Sequence, residues 1–234
     1  MKTVAILFLV TMLHSGTFEP PQNDWVDIFD GKSLAGWTQL NGTASYSVEN
    51  AAIVGRTTEG SPNSFLCTVK DYGDFELEFE VLVDDDLNSG VQIRSRQMTK
   101  KDLVDIPKVF GLKKLNEPVG RYGGPQVEIA ANTRVSGYVY GEAMGTGWLS
   151  EEPQSGDPQA GHTFFVKGEW NAYKIIAKGS QIEVYINGHL VEDMDNKKAY
   201  ETHPSGSIGL QVHSISRDKG PYEVKWRKIR LRQL

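Results

Sequence analysis

The sequence has little cysteine, little excess charge and no long apolar run beyond its first residues, and each shortage excludes a class of protein. Cys67 is the only cysteine, so no disulfide can form within the chain, and it lies too far from the N-terminus for a lipid anchor. The formal net charge of -5, without a dominant basic stripe, argues against a nucleic-acid partner. No segment approaches the length of a transmembrane helix, so we expect no membrane span.

The first sixteen residues, MKTVAILFLVTMLHSG, have the arrangement of an export signal. Lys2 precedes an apolar run from Val4 to Leu13, and the small residues Ser15 and Gly16 follow. The run is too short to cross a bilayer and is typical of a secretory signal peptide. We expect residues 1–16 to be a signal peptide and the protein to be exported to the periplasm or the extracellular space.

The remainder of the chain lacks long helical periodicity and instead alternates polar and apolar residues over many short stretches. Gly, Asn, Asp and Pro separate these stretches, and Asn187-Gly188 accepts the positive φ angles of a two-residue hairpin turn. Many short strands of this kind predict an all-β fold, and the length favours a sandwich of two antiparallel sheets formed by one domain over residues 24–234. The predicted strands include FELEFEVLV (75–83), GVQIRSR (90–96), PQVEIAA (125–131), SGYVYGEA (136–143) and GSIGLQVHS (206–214).

Four of these strands carry an unusual polar face. Side chains alternate between the two faces of a strand, so each apolar face leaves a second set of residues on the opposite side. The common interpretation is a face that only meets water. However, Arg, Gln, Tyr, His and a lone Glu are residue types that hydrogen-bond a polyhydroxylated ligand from fixed positions. The residues concerned are Gln92, Arg94 and Arg96; Gln126 and Glu128; Tyr138, Tyr140 and Glu142; and Gln211 and His213.

Seven stretches, in order along the chain, carry motifs of a known family. They are IFDGKSLAGW (28–37), NSGVQIRS (88–95), GPQVEI (124–129), GYVYGEAMGTGW (137–148), GEWNAYKIIAKGSQIEVYINGHLVED (168–193), THPSGSIGLQVHS (202–214) and VKWRKIRLRQL (224–234). Together they resemble the 3-keto-disaccharide hydrolase family of 3-keto-glucoside 1,2-lyases and 3-keto-2-hydroxyglucal hydratases. The resemblance implies a concanavalin A-like jelly-roll sandwich and an enzyme whose concave sheet binds a small oxidised sugar. One departure is that Ala130 and Ala131 stand where the family often has an acidic residue, which leaves Glu128 as the only carboxylate of its strand.

The chemistry that the resemblance implies assigns roles to the polar faces. A ketone at C3 acidifies the C2–H bond, so elimination of the C1 aglycone and hydration of the resulting glucal give net hydrolysis. This needs a base near C2, a donor at the C3 oxygen and an acid for the leaving oxygen. Glu128 and His213 are the expected proton carriers, with the choice of base left open. Arg94 is the expected enolate stabiliser, with Gln126 or Gln211 as its orienting partner.

Further residues are expected to bind the substrate. Tyr138, Tyr140 and Trp148 can stack on a sugar ring, although aromatic residues of β proteins also serve as core. His203, in a loop, can line the pocket or stabilise a turn, and Arg96 is expected at the rim. No cofactor is expected: there is no HExxH or paired histidine motif, although a divalent metal assembled from distant strands stays open. The sequence indicates no oligomeric state.

Two other functions stay open at this stage. A retaining glycoside hydrolase of the same fold needs two carboxylates about 5 Å apart, which Glu128 and Glu142 would have to supply. A non-catalytic carbohydrate-binding module usually presents aromatic platforms with few titratable groups, whereas here Arg, Glu and His converge. Cleavage of unoxidised glucan would favour the first alternative, and binding without turnover would favour the second.

Overall fold

The computed structural model describes residues 24–132, 134–151 and 160–234, and the expected signal peptide lies outside them. These residues form fifteen strands and three helices, which confirms the all-β prediction. The helices are α1 (Asp102–Phe110), α2 (Gly161–Phe164) and α3 (Lys197–Thr202).

The strands make two antiparallel sheets, as predicted for a jelly-roll sandwich. The first sheet has the order β13-β12-β11-β6-β15-β4-β3, with β1 beside β15, and the second has the order β10-β9-β8-β7-β14-β5-β2. The strands of the first sheet are β1 (Val26–Asp27), β3 (Ser45–Glu49), β4 (Ala52–Arg56), β6 (Phe75–Val83), β11 (Asn171–Lys178), β12 (Gln181–Ile186), β13 (His189–Asp195) and β15 (Glu223–Gln233). Those of the second are β2 (Trp37–Leu40), β5 (Ser64–Thr68), β7 (Asn88–Gln97), β8 (Tyr122–Ala130), β9 (Val139–Glu142), β10 (Gly147–Trp148) and β14 (Ser207–Val212).

Strand β6 shows how the alternating sequence produces this architecture. Its odd-numbered residues, Phe75 to Val83, are buried, whereas the glutamates between them are partly exposed on the outer face. Neighbouring β15 supplies the partners of these glutamates: Arg232 bonds Glu76 and Arg230 bonds Glu78. The glutamates of β6 therefore lie on the outer face of the first sheet, where they form ion pairs with β15.

The main core lies between the two sheets, and a smaller apolar cluster lies on the opposite face of the second sheet. Phe65, Cys67 and Tyr122 form this smaller cluster, and the Tyr122 hydroxyl lies 2.8 Å from Oγ of Ser207. A Cβ at Gly209 would lie 2.8 Å from the Tyr122 ring, so this glycine lets the ring lie flat on the sheet. The Tyr122 ring closes one end of this face, and the other end is open.

The connection between β7 and β8 contains α1, although the sequence lacks long helical periodicity. The helix spans nine residues and has Pro107 inside it, so it is too short to produce a long helical pattern in the sequence. It is nevertheless fixed by burial of Ile106 and by Asp102, whose Oδ2 accepts from the Thr99 amide at 2.8 Å. The predicted hairpin turn is confirmed, since Asn187 and Gly188 have φ values of 50° and 83°.

Candidate functional site

The open end of the second sheet's outer face holds a cavity of about 380 Å³. Four neighbouring strands, β9, β8, β7 and β14, form its floor, and β10 adds a wall. Six of the residues predicted from the polar faces meet in this one place, together with Trp148, which was predicted to stack on the sugar. The lining residues are Asn88, Gln126, Glu128, Val135, Tyr140, Glu142, Trp148, Gln211 and His213.

A glycine lies at the centre of this floor. Gly90 of β7 pairs with Gln211 of β14 on one side and with Glu128 of β8 on the other. Side chains of directly paired residues point to the same face of a sheet. The Gln211 amide and the Glu128 carboxyl therefore lie on either side of Gly90, which has no side chain. Two strand intervals separate their backbones by about 10 Å. The result is a trough between Gln211 and Glu128.

Glu128 is buried, with 6% of its surface exposed, and both of its carboxyl oxygens have partners. Gln126 donates from Nε2 to Oε1 at 2.6 Å, and Asn88 donates from Nδ2 to Oε2 at 3.1 Å. Burial raises the pKa of Glu128 to about 7, although these two hydrogen bonds lower it; the nearby charge of Glu142 adds to the increase. Glu128 can therefore give or take a proton near neutral pH.

His213 lines the same cavity and has a defined tautomer when neutral. Its Nδ1 lies 2.7 Å from the carbonyl oxygen of Ser214. A carbonyl only accepts hydrogen bonds, so Nδ1 carries the proton. Nε2 of the neutral ring then has a free lone pair, which makes His213 a second proton acceptor in the cavity.

Glu142 is the second carboxylate of the cavity, but it is tied to neighbouring residues. Its Oε1 accepts from Nη2 of Arg121 and, at 3.2 Å, from Nδ2 of Asn63. Arg121 also lies over the Phe65 ring and donates to the Tyr122 carbonyl. Glu142 is consequently held as an ion pair between the cavity and the closed end of the sheet face.

Tyr140 and Trp148 form an aromatic wall. Their ring centroids lie 5.3 Å apart with an interplanar angle of 81°, an edge-to-face arrangement. Burial raises the pKa of the Tyr140 phenol, and the charges of Glu142 and Glu128 raise it further. Its hydroxyl therefore stays protonated and available as a hydrogen-bond donor.

Two buried amide side chains on the strands of the cavity floor, Gln92 and Gln211, have polar atoms without hydrogen-bond partners among the described residues. Gln92 donates from Nε2 to Oε1 of Gln126 at 3.4 Å, but its own Oε1 has no partner among the described residues. Gln211 is fully buried, and both its Nε2 and its Oε1 lack a partner there. Buried polar atoms are usually hydrogen-bonded, so an unpaired amide on a cavity wall is typical of a ligand-binding position.

Arg94 does not face the cavity, contrary to the prediction. Between Gln92 and Arg96, β7 contains one residue more than its neighbours, and Arg94 has a φ of 51° within this bulge. Its guanidinium, 2% exposed, crosses the end of the sandwich instead. It donates to the carbonyls of Gly73 and Gly179, both at 2.7 Å, and to Asp74 at 2.8 Å. Arg94 therefore joins the two sheets.

Arg96 and His203 also lie away from the cavity. Arg96 lines a separate cleft beside α1 and donates to Asp102 at 2.6 Å and to the Thr202 carbonyl at 2.7 Å. His203 is buried next to it, with Nδ1 2.9 Å from Oγ1 of Thr202. Burial lowers the pKa of His203 to about 3, and the charge of Arg96 adds to the decrease. Both residues stabilise the connection between α3 and β14.

Tyr138 and Gln92 are the remaining corrections. Tyr138 precedes the first residue of β9, so the alternation of that strand does not apply to it, and its ring is buried in the main core. Gln92 is on the predicted face and lies beside Gln126, its paired residue on β8, but it is fully buried and does not line the cavity.

The structure adds residues that sequence reasoning missed. Asn88 shares the alternation of Gly90 and Gln92, so extending the β7 pattern by two residues would have found it. Arg121 and Asn63 come from outside the four polar strands, and no periodic signal marks them. Val135 lies in the connection between β8 and β9.

Within the described ranges, no three His, Cys, Asp or Glu side chains lie close enough together to hold a metal ion. In the same part of the chain, no helix is long and apolar enough to cross a membrane.

The two antiparallel sheets, with a polar cavity on one sheet face, define a jelly-roll protein of the concanavalin A-like class. Within this class the chain belongs to the 3-keto-alpha-glucoside-1,2-lyase-like domain family, whose model matches residues 24–232. No curated protein matches the chain.

Solved structures share the fold at low sequence identity. A candidate glycosyl hydrolase from Parabacteroides distasonis ATCC 8503 is 19% identical, over 90% of this chain and 94% of that one, with a TM-score of 0.54. A β-glucanase from Bacillus licheniformis is 12% identical, over 90% and 97%, with a TM-score of 0.56. The carbohydrate-binding module CBM66 from Bacillus subtilis is 16% identical, over 85% and 96%, with a TM-score of 0.54. Identities this low show a common fold and no more.

Proposed function

We propose that the protein is an enzyme that cleaves the glycosidic bond of 3-keto-glucosides by elimination in the Glu128 cavity, followed by hydration. The observation that carries this proposal is the Glu128 carboxyl. It is buried in the cavity, is held at both oxygens and has a pKa raised to about 7. A proton carrier tuned to neutral pH is what proton abstraction next to a ketone requires. Membership of the lyase-like family supports the substrate class.

The reaction proceeds through an enolate. A base removes the C2 proton, the C2–H electron pair forms a C2=C3 double bond, and the carbonyl pair moves onto the C3 oxygen. When the ketone re-forms, a C1=C2 double bond replaces the C1–O bond, and the aglycone oxygen leaves and takes a proton. Water then adds its hydroxyl to C1 and a proton to C2, giving the free 3-keto sugar.

Glu128 and His213 are the proton carriers in this scheme. Nε2 of neutral His213 accepts a proton, because its Nδ1–H is already given to Ser214. Glu128 can act as base when ionised or as acid when protonated. One of the two takes the C2 proton and the other protonates the aglycone oxygen. Arg94 has no part in these steps, since its guanidinium is occupied by Gly73, Gly179 and Asp74.

The aromatic wall and the amides supply the sugar contacts. Tyr140 and Trp148 offer ring faces against which the apolar side of a sugar can pack. The volume of about 380 Å³ suits a small ligand, so we propose an oxidised mono- or disaccharide as the substrate.

A retaining glycoside hydrolase is the second candidate, because two carboxylates, Glu128 and Glu142, line the same cavity. The ion pair of Glu142 with Arg121 disfavours it. That pair commits the carboxylate to a neighbouring cation, whereas a nucleophile must reach the sugar.

The deciding experiment incubates the purified protein with a 3-keto-disaccharide and, separately, with its unoxidised parent. The release of aglycone and the absorbance of the glucal are followed with and without chelator. We expect cleavage of the oxidised sugar alone. Cleavage of the parent at a similar rate would establish the glycoside hydrolase, and binding without turnover would establish a carbohydrate-binding module.

We also propose that the protein acts after export, in the periplasm or outside the cell. The support is the leader-like sequence over residues 1–16. N-terminal sequencing of the protein recovered from the producing cell tests this, and a retained Met1 would contradict it.

A further inference from the structure

With Arg94 outside the cavity, the oxygen on C3 has no assigned donor, although the enolate places its negative charge there. The donor must lie in the same cavity as the proton carriers, because the C2 proton and the C3 oxygen lie on neighbouring ring carbons. Gln211 lies where such a donor is needed, in the lining of the cavity. It lies across Gly90 from Glu128, in the same row of paired residues.

The side chain of Gln211 is also free to bind a ligand. It is fully buried and lines the cavity, and neither Nε2 nor Oε1 has a partner among the residues that the structure describes. The other amides of the cavity already have a partner, since Asn88 and Gln126 both donate to Glu128. An amide that is buried without partners destabilises the fold, so its presence at a cavity indicates a ligand that pairs with it.

An amide presents a donor and an acceptor side by side. A ketone next to a hydroxyl presents the complementary pair, since the ketone oxygen only accepts and the hydroxyl can donate. We propose that Gln211 is a catalytic residue that donates from Nε2 to the C3 oxygen and accepts at Oε1 from the C4 hydroxyl of the oxidised ring. This inference rests on the proposed function and specifies how the site recognises the oxidised edge of the sugar.

The proposal explains why a neutral residue can replace the expected cation. A donor fixed at the position of the developing charge stabilises the enolate without moving, and a buried site strengthens that interaction. The Ser89 hydroxyl donates to the Gln211 carbonyl oxygen at 2.7 Å, which fixes the backbone from which the amide projects. The hydrogen bond strengthens as charge develops, so its loss should lower kcat more than it raises KM.

The test compares Gln211→Met and Gln211→Glu with the wild-type protein on a 3-keto-glucoside. Met keeps the approximate length without hydrogen bonds, and Glu removes the donor. We expect kcat to fall about 10²–10³-fold in both. We also expect the thermal unfolding midpoint of Gln211→Met to equal or exceed that of the wild type, because no unpaired amide remains buried. Gln181→Met, at an exposed position on β12, is the matched control and should leave kcat unchanged.

The outcomes separate this inference from the proposed function. If the wild-type protein does not cleave the 3-keto-glucoside, both are wrong. If it does and Gln211→Met keeps kcat within fivefold, the assignment of Gln211 alone is wrong. A lower unfolding midpoint together with the lost activity in Gln211→Met would show a structural role and would also overturn the assignment.

Discussion

Gln126 donates its Nε2–H to Oε1 of Glu128 over 2.6 Å, so the proposed proton carrier is held by the residue two positions earlier on the same strand. Gly90 makes room for this contact, because a Cβ there would lie 2.7 Å from Cδ of Gln126. The orientation of the carboxyl thus depends on a missing side chain in the neighbouring strand.

Gly90→Ala should therefore damage the site. The added methyl group forces Gln126 away from Glu128 and fills the trough, so we expect at least a 10²-fold loss of 3-keto-glucoside cleavage. Overpacking should also lower the free energy of unfolding by about 1–3 kcal/mol. Gly73→Ala is the matched control, since its nearest neighbour would lie at 3.8 Å. Steady-state kinetics and denaturant unfolding of both variants check this; full activity in Gly90→Ala would contradict the role given to the trough.

Glu128 should impose a pH dependence on catalysis. We expect kcat/KM to show a limb with an apparent pKa near 7, rising with pH if Glu128 is the base and falling if it is the acid. Glu128→Gln should remove this limb and lower kcat/KM about 10²–10⁴-fold. Glu59→Gln, an exposed position, is the control. A wild-type profile that persists in Glu128→Gln would assign the limb to another group.

The same carboxyl should affect stability in a defined direction. Its pKa is about 7 in the folded protein, above the ordinary value of 4.5, so the folded state binds the proton more tightly than the unfolded state. The free energy of unfolding should consequently decrease as the pH rises from about 4.5 to 7, by about 3 kcal/mol from this group. Glu128→Gln should lack this decrease. Denaturant unfolding at pH 5 and pH 8 measures it, and equal pH dependence in both proteins would contradict the raised pKa.

His213→Ala should remove the second proton carrier and leave the fold intact. We expect a 10²–10⁴-fold loss of 3-keto-glucoside cleavage, because Nε2 of the imidazole is the other proton acceptor proposed for the cavity. Circular dichroism should be unchanged, since among the described residues the ring makes one hydrogen bond, to the Ser214 carbonyl. His189→Ala, at an exposed position on β13, is the control. Near wild-type turnover in His213→Ala would remove His213 from the mechanism.

Arg94→Lys should affect stability and not chemistry. A lysine cannot reach Gly73, Gly179 and Asp74 together, so buried carbonyls lose their donors and the free energy of unfolding should fall by about 2 kcal/mol. The folded variant should keep its kcat. Arg217→Lys, exposed in a loop, is the control. Lost activity with unchanged stability would restore Arg94 as the enolate donor.

The sequence predicted the fold and most of the cavity because β8 and β14 are regular strands. Their alternation places Gln126, Glu128 and Gln211 on the cavity face, as predicted. His213 lies directly after β14, two residues beyond Gln211, and points to the same face. The prediction failed at Arg94 because one extra residue in a strand reverses every later side chain, and nothing in SGVQIRSR marks the bulge.

Residues outside regular strands could not be placed in the same way. Tyr138 lies just before β9, and Arg121 lies in the connection that leads into β8. Their positions depend on tertiary contacts, such as that of Arg121 with Glu142, which no period in the sequence reports.

The most direct test of the proposed elimination is the fate of the C2 proton. The protein is incubated with a 3-keto-glucoside in D2O, and the early product is analysed by NMR, with authentic 3-keto sugar treated in parallel as the background. We predict release of the aglycone with deuterium incorporated at C2, because that proton is removed and replaced from solvent. Release of the aglycone with the original C2 proton retained would contradict the account.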